Sequence, residues 1–260
     1  MSDRFEGRVA IVTGAASGIG RATALRFGSE KAILAISDRD QEGLEKTAQT
    51  LSDQGASVLS IVGDIRDWSV IDQFVDATIE RFGRVDVLFN CAGGTSACPT
   101  HDLPERRYRS FIALNLDAVF HGCQKVLPVM VEQGGGVIVN VSSVMGVNGD
   151  AGVAAYGAAK AGVINFTRCL AVEYGAKGVR ANVVIPGAIA SEGNLRGLAL
   201  APEGTREKLE AVIPMRRFGE PDEVANTVAF LASDEASFIN GSTIAIDGGQ
   251  SARLYNADVE

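Results

Sequence analysis

Val9-Ala10-Ile11-Val12-Thr13-Gly14-Ala15-Ala16-Ser17-Gly18-Ile19-Gly20 is an apolar, β-branched run that breaks into three glycines and passes directly into a helical pattern over Ile19–Ser29. A strand, a glycine turn and a helix in that order form the opening of a parallel strand–helix–strand unit. Each glycine answers a separate demand. Gly14 permits the tight turn, Gly18 lets the backbone approach a pyrophosphate, and Gly20 lets the helix pack closely on the strand. Ser17 and Ile19 fall where the helix N-terminus presents its N–H donors to an anion. A glycine-rich turn without a ligand is the plainer reading, but the position between first strand and first helix favours a nucleotide.

The pattern repeats outward from this turn. Strands are expected around Val9–Thr13, Ala32–Ser37, Ser57–Val62, Val85–Asn90, Val137–Val141, Val179–Ile185 and Thr243–Ile246. Between them helical spacing runs near Ile19–Ser29, Gln41–Gln54, Ser69–Phe82, Arg107–Gln133, Ala154–Tyr174 and Asp222–Ala232. Strands alternating with helices predict an α/β fold: a Rossmann-type, doubly wound sheet of about seven mostly parallel strands with helices on both faces. With 260 residues, 46% of them hydrophobic, the chain suffices for one such domain over 1–260. Residues 188–217 break the rhythm with Gly193, Gly197, Pro202, Gly204 and Pro214 around short amphipathic pieces. Because they follow a strand end, they are read as a flap over a substrate site.

Composition removes several classes of function. A formal charge of −8 argues against a phosphate-neutralising surface, so no nucleic-acid partner is expected. No apolar run reaches membrane-span length, and Met1-Ser2-Asp3-Arg4-Phe5-Glu6 lacks the apolar core of a signal peptide, so a cytoplasmic protein is expected. Cys91, Cys98, Cys123 and Cys169 are scattered, with only His101 and His121 to join them, and read as reduced thiols; no metal is expected.

Asp38 ends the second strand, twenty-four residues after Gly14, close to the interval at which an acid accepts from a ribose 2'-hydroxyl. A carboxylate there repels the 2'-phosphate of NADP, which points to NAD, although the adjacent Arg39 is able to meet that phosphate. Tyr156 and Lys160 are four apart at the start of a helix and share a face. An ammonium beside a phenol stabilises phenolate and brings the tyrosine toward the range of a general base. Ser143 lies thirteen residues earlier at a strand end, where a hydroxyl faces the nucleotide crevice; Ser142 is its competitor.

Taken together, Thr13-Gly14-x-x-x-Gly18-x-Gly20, Asn90-Cys91-Ala92-Gly93, Asn115, Ser143, Tyr156-x-x-x-Lys160, Pro186-Gly187 and Ile246-Asp247-Gly248-Gly249 resemble the short-chain dehydrogenase/reductase family over nearly the whole chain. The resemblance implies Tyr156 as acid/base, Ser143 on the substrate oxygen, Lys160 lowering the Tyr156 pKa while holding the nicotinamide ribose, and Asn115 anchoring a water in a proton relay. It implies Asp64 and Ile65 against adenine, Asn90, Ala92 and Gly93 along adenosine, Pro186, Gly187 and Ile189 near nicotinamide, and a homotetramer. Ser191 stands where the family has threonine, Cys91 where it has a second asparagine, and Ala181 where valine is common.

The function expected is therefore NAD-dependent hydride transfer between a secondary alcohol, or its ketone, and nicotinamide. An NADP-dependent ketone reductase and a non-catalytic NAD-sensing protein are the alternatives. Met145, Val147 and Val153 are expected as an apolar wall of the substrate pocket, with Gly94–Asp102 beside it and Arg196 as a candidate for an anionic group.

Overall fold

The central apolar runs do not alternate because they are covered on both faces. In the computed structural model, whose described residues are 3–252, β1 (Val9–Thr13) is buried along its entire length, as a central parallel strand between helical layers must be. With β2 (Ile33–Asp38), β3 (Val58–Val62), β4 (Val87–Asn90), β5 (Gly136–Val141), β6 (Val179–Pro186) and β7 (Thr243–Ile246) it forms one sheet, ordered β3-β2-β1-β4-β5-β6-β7. Every pairing is parallel. Met1 and Ser2, part of the N-terminal stretch read above, lie outside the described residues.

Parallel pairing forces each return through a crossover. The helices are α1 (Gly18–Ser29), α2 (Gln41–Asp53), α3 (Trp68–Phe82), α4 (Glu105–Ile112), α5 (Ala118–Glu132), α6 (Ala154–Tyr174), α7 (Glu192–Ala199), α8 (Thr205–Val212) and α9 (Pro221–Ala232). Successive strand residues point to opposite layers. Ala10 and Val12 join a core with Phe27 of α1, Leu51 of α2 and Val228 of α9, while Ile11 joins Phe74 of α3, Met130 of α5 and Val163 of α6. Local chemistry sets the starts. The Asp40 carboxylate accepts from the Gly43 N–H at 3.2 Å before α2, and that of Asp67 from the Ser69 N–H at 2.9 Å before α3. A reciprocal Glu220–Glu223 box with Pro221 at the first turn opens α9.

The helix expected over Arg107–Gln133 is interrupted. Between α4 and α5, Ala113–Asp117 widens into a π-turn that contains the fully buried Asn115. There the Asn115 side-chain amide donates to the Phe111 carbonyl four residues back and to the Gly94 carbonyl, each at 3.0 Å. A side chain thus takes a carbonyl that an unbroken helix would give to a backbone N–H, and the extra residue of the turn follows. Strand order reverses between β2-β1 and β4-β5, which opens a crevice at the C-terminal ends of β1 and β4.

Candidate active site

A cavity of about 620 Å³ occupies this crevice. Its floor is the glycine turn, where Gly14 and Gly18 adopt φ of +73° and +53°, conformations that cost a side-chain-bearing residue energy. A methyl on Gly20 would sit 2.0 Å from the Gly14 carbonyl oxygen, and one on Gly14 would sit 2.9 Å from the Ala92 backbone. Helix, turn and the Asn90–Gly93 segment are in backbone contact. The Thr13 hydroxyl fixes that segment by accepting from the Cys91 and Ala92 N–H groups at 3.0 and 3.2 Å.

Asp38 closes one end of the cavity. One carboxylate oxygen accepts from the Ala16 N–H and the other from the Asp40 N–H, both at 3.0 Å, so the acid is held in place by backbone amides alone. Arg39, Asp64 and Ile65 line the same wall. The Asp64 carboxylate is engaged by Arg66, whose guanidinium hydrogen bond outweighs burial and holds it below the usual carboxylate range. Asn90 lies beneath the lining rather than in it, donating to Asn140 at 2.9 Å within a buried network that reaches Thr167.

At the other end the catalytic candidates converge. Ser142 donates its hydroxyl to the Lys160 carbonyl at 2.7 Å, deep against α6. Ser143, next along, accepts from the Met145 N–H at 3.2 Å and interacts with the Tyr156 phenol. The competing serine is thus committed to the helix backbone. Lys160 is 2% exposed, and its ammonium donates to the Val141 carbonyl at 2.8 Å. Burial pushes its pKa down to about 8. A methyl on Gly93 would meet the Asn115 side-chain oxygen at 2.9 Å and the Lys160 nitrogen at 3.3 Å, so the three residues share one corner. Asn115 clamps the loop there, accepting from the Gly94 N–H at 3.1 Å.

One electrostatic detail differs from the sequence expectation. Burial raises the half-buried Tyr156 phenol above its ordinary value, with the Ser143 hydroxyl pulling the other way. The Lys160 nitrogen stands 5.6 Å from the phenol ring centroid and points its hydrogen bond at Val141, which is why it does not lower the phenol in this geometry.

Pro186, Gly187, Ile189 and Ser191 line the remaining wall. The flap base is tied down by a short parallel bridge between Ile189 and Gly219, and the rest of 188–217 carries α7 and α8. Gly94, Thr95, Leu114, Asn194 and Arg196 complete the lining. Met145, Val147 and Val153 are not part of it, and Val147 is 48% exposed. The short helix Val144–Gly146 turns the chain away from the cavity after Ser143.

The cavity fits a dinucleotide. Its glycine turn holds an oxyanion in this structure, the Glu192 carboxylate, which accepts from the Gly18 N–H at 2.7 Å. The buried Ser37 hydroxyl in the wall has no hydrogen-bond partner. Glu192 and its partner Arg21 were not singled out in the sequence: an acid in the first turn of a helix reads as a dipole complement, and only the tertiary fold brings α7 onto the N-terminus of α1.

A family model described as enoyl-(acyl carrier protein) reductase matches residues 14–251. Levodione reductase of Leifsonia aquatica is 44% identical over 258 residues, with 96% of both proteins covered. Meso-2,3-butanediol dehydrogenase of Serratia marcescens is 38% identical over 249 residues, again with 96% of both covered. The crystal structure of levodione reductase superposes with a TM-score of 0.91 at 42% identity, covering 96% of this chain and 100% of that one. The chain belongs to the short-chain dehydrogenase/reductase family. It is an oxidoreductase of the alcohol–ketone type, and the family works with a nicotinamide cofactor. The walls just described run from Asp38 at one end of the cavity to Tyr156 at the other.

Proposed function

We propose that this protein is an NAD-dependent dehydrogenase that oxidises a small secondary alcohol to its ketone and runs in reverse under reducing conditions. The observation that carries the reading is the placing of Ser143, Tyr156 and Lys160 in the same cavity as the Gly14–Gly20 turn and Asp38. Asp38 supports NAD, because an acceptor fixed by two amides suits a ribose hydroxyl and opposes a 2'-phosphate. Gly14, Ser17, Gly18, Ile19 and Gly20 would hold the diphosphate, Ile65, Ala92 and Gly93 the adenosine side, and Pro186, Gly187, Ile189 and Ser191 the nicotinamide side.

The bound nicotinamide supplies the hydride acceptor, or in reverse the donor. Tyr156 takes the carbinol proton as phenolate during oxidation and returns it to the ketone oxygen during reduction. Ser143 hydrogen-bonds the same oxygen and keeps it within reach of the phenol. Because burial raises the phenol, phenolate has to be stabilised by positive charge, and Lys160 supplies it when a ligand draws its ammonium away from Val141. Its pKa near 8 keeps it mostly protonated at neutral pH. Asn115, fixed between Gly94 and Phe111, orders the corner through which a water-borne proton reaches Lys160.

We assign the substrate end to a compact alcohol, since Thr95, Leu114 and Asn194 leave it mixed in polarity. Phe120 and Val172, 41% and 84% exposed on α5 and α6, support a homotetramer packed through those helices, which light scattering will test. No helix among the described residues is long and apolar enough to cross a membrane, in keeping with work in the cytoplasm. The test of function is nicotinamide absorbance with NAD, then NADP, over a panel of secondary alcohols, with Tyr156→Phe as control. Turnover with NAD that vanishes in the variant supports the reading. Equal or better turnover with NADP removes the role given to Asp38, and NAD binding without turnover on any alcohol favours a sensing protein.

A further inference from the structure

The contact between the flap and the phosphate turn is chemically unusual. One oxygen of the Glu192 carboxylate accepts from the Gly18 N–H at 2.7 Å, and the other pairs with the Arg21 guanidinium. Both partners belong to the first turns of α1, where a diphosphate would find an oriented amide and a cation. The residue before Glu192 is as close: a methyl on Gly18 would meet the Ser191 side chain at 2.9 Å. Burial pushes the Glu192 carboxyl up, but its backbone bonds, the Gly18 amide and Arg21 outweigh that and hold it below the usual range. It is an anion at neutral pH. Arg196, one helical turn further along the same face of α7, lines the cavity and forms no ion pair among the described residues.

We propose that Glu192 is an internal stand-in for a phosphate: its carboxylate holds the Gly18 amide and Arg21 until the diphosphate of a dinucleotide takes them, and that exchange unlatches the flap. The inference rests on the dinucleotide reading above and adds a competitor to it. Two negative groups cannot share one amide, so diphosphate entry displaces the carboxylate. Withdrawal of Glu192 leaves two cations, Arg21 from α1 and Arg196 from α7, facing the incoming charge. The flap is therefore coupled to the phosphates rather than to adenosine, which binds at Asp38 without reaching Gly18.

Calorimetric titrations of the full chain and its Glu192→Gln variant with NAD, ADP and adenosine test this. The variant should bind NAD and ADP about fivefold to tenfold more tightly, because a charged acceptor holds an amide roughly twice as strongly as a neutral one, while adenosine should bind both proteins alike. Hydrogen exchange gives a second readout without ligand: amides of 193–199 should exchange faster in Glu192→Ala than in the wild type. Equal ADP affinities for the two proteins, an equal gain for adenosine, or unchanged flap exchange would each overturn the latch while leaving dinucleotide binding intact. Failure of the wild type to bind either NAD or ADP would overturn both readings together.

Discussion

The two ends of the sheet use the same side chains in opposite ways. At the N-terminal ends of the strands, charges close on one another. Arg4 pairs with Glu30 at 2.6 Å and Glu235 at 3.0 Å, Arg84 with Asp86 at 2.6 Å, and Arg8 with Asp234. Arg180 spends its guanidinium on the carbonyls of Ser233 and Ile239. At the C-terminal ends two carboxylates, Asp64 and Glu192, keep arginine partners, but Asp38 is held by backbone amides, Lys160 by a single carbonyl, and Ser143 by one amide and the Tyr156 phenol. Each keeps bonding capacity that faces the cavity. The first end is built to be stable, and the second accepts a cost in stability to keep polar groups available for a ligand.

Exchange of groups between these roles should therefore separate activity from stability. The largest effect is expected at Tyr156: Tyr156→Phe should lower kcat/KM by about 10²–10⁴-fold, the usual contribution of a positioned acid/base, with the melting temperature nearly unchanged. Comparable losses of both in one variant would contradict the division. Next is Glu30, whose side chain is 3% exposed between Arg4 and Arg26. Removing one member of a buried ion pair costs about 3 kcal/mol, so Glu30→Gln should lower the denaturant midpoint while NAD affinity stays within about twofold, as expected for a surface that touches no ligand. Burial acts to raise the Glu30 carboxyl, and its two arginines more than reverse this, leaving it lowered. Its stabilisation is hence fully present above the ordinary carboxylate pKa and lost as pH falls through the folded value. Wild type and variant should converge in stability in acid.

A smaller effect of opposite sign is expected at Lys160. With a folded pKa of about 8 against an ordinary 10.5, the unfolded chain binds more protons between those values, so wild-type stability should rise with pH across that window. Lys160→Met should flatten the rise and, at neutral pH, stabilise the fold by about 1 kcal/mol after the Val141 carbonyl loses its donor. Turnover should be lost with it. Urea unfolding at pH 7 and pH 10 provides the check, and a variant less stable than wild type at pH 7 would mean that the buried ammonium stabilises rather than strains the site.

How much of this was legible in the sequence follows the same division. The doubly wound sheet was readable, because the central apolar runs, covered on both faces, carry no competing pattern, and glycine at 14, 18 and 20 has few other uses. That Tyr156, Lys160 and Ser143 meet in one cavity was readable through spacing and family likeness, although the preference for Ser143 over Ser142 gains its physical reason only from the Ser142 bond to Lys160. The π-turn at Asn115 was not legible, since it depends on Gly94 arriving from another part of the chain. Neither was the Glu192 contact. The apolar wall expected from Met145, Val147 and Val153 failed because hydrophobicity alone does not say which way a loop turns after its strand.

The thiols give the smallest effect and the sharpest view of the site end. Cys91 stands where the family has asparagine, in the same cavity lining as Lys160, and a nearby cation acts to make a thiol reactive. Burial acts against it and is the larger influence, pushing Cys91 up to about 12, the same value reached by the buried Cys123. Thiolate, the form that reacts, is therefore scarce at pH 8. Iodoacetamide should leave Cys91 and Cys123 unlabelled in the native protein, as read by peptide mass spectrometry, and label both in urea. Activity should survive the native treatment. Native labelling of Cys91 would mean that Lys160 governs it more than burial does, and that the site end holds a reactive nucleophile beside its phenol.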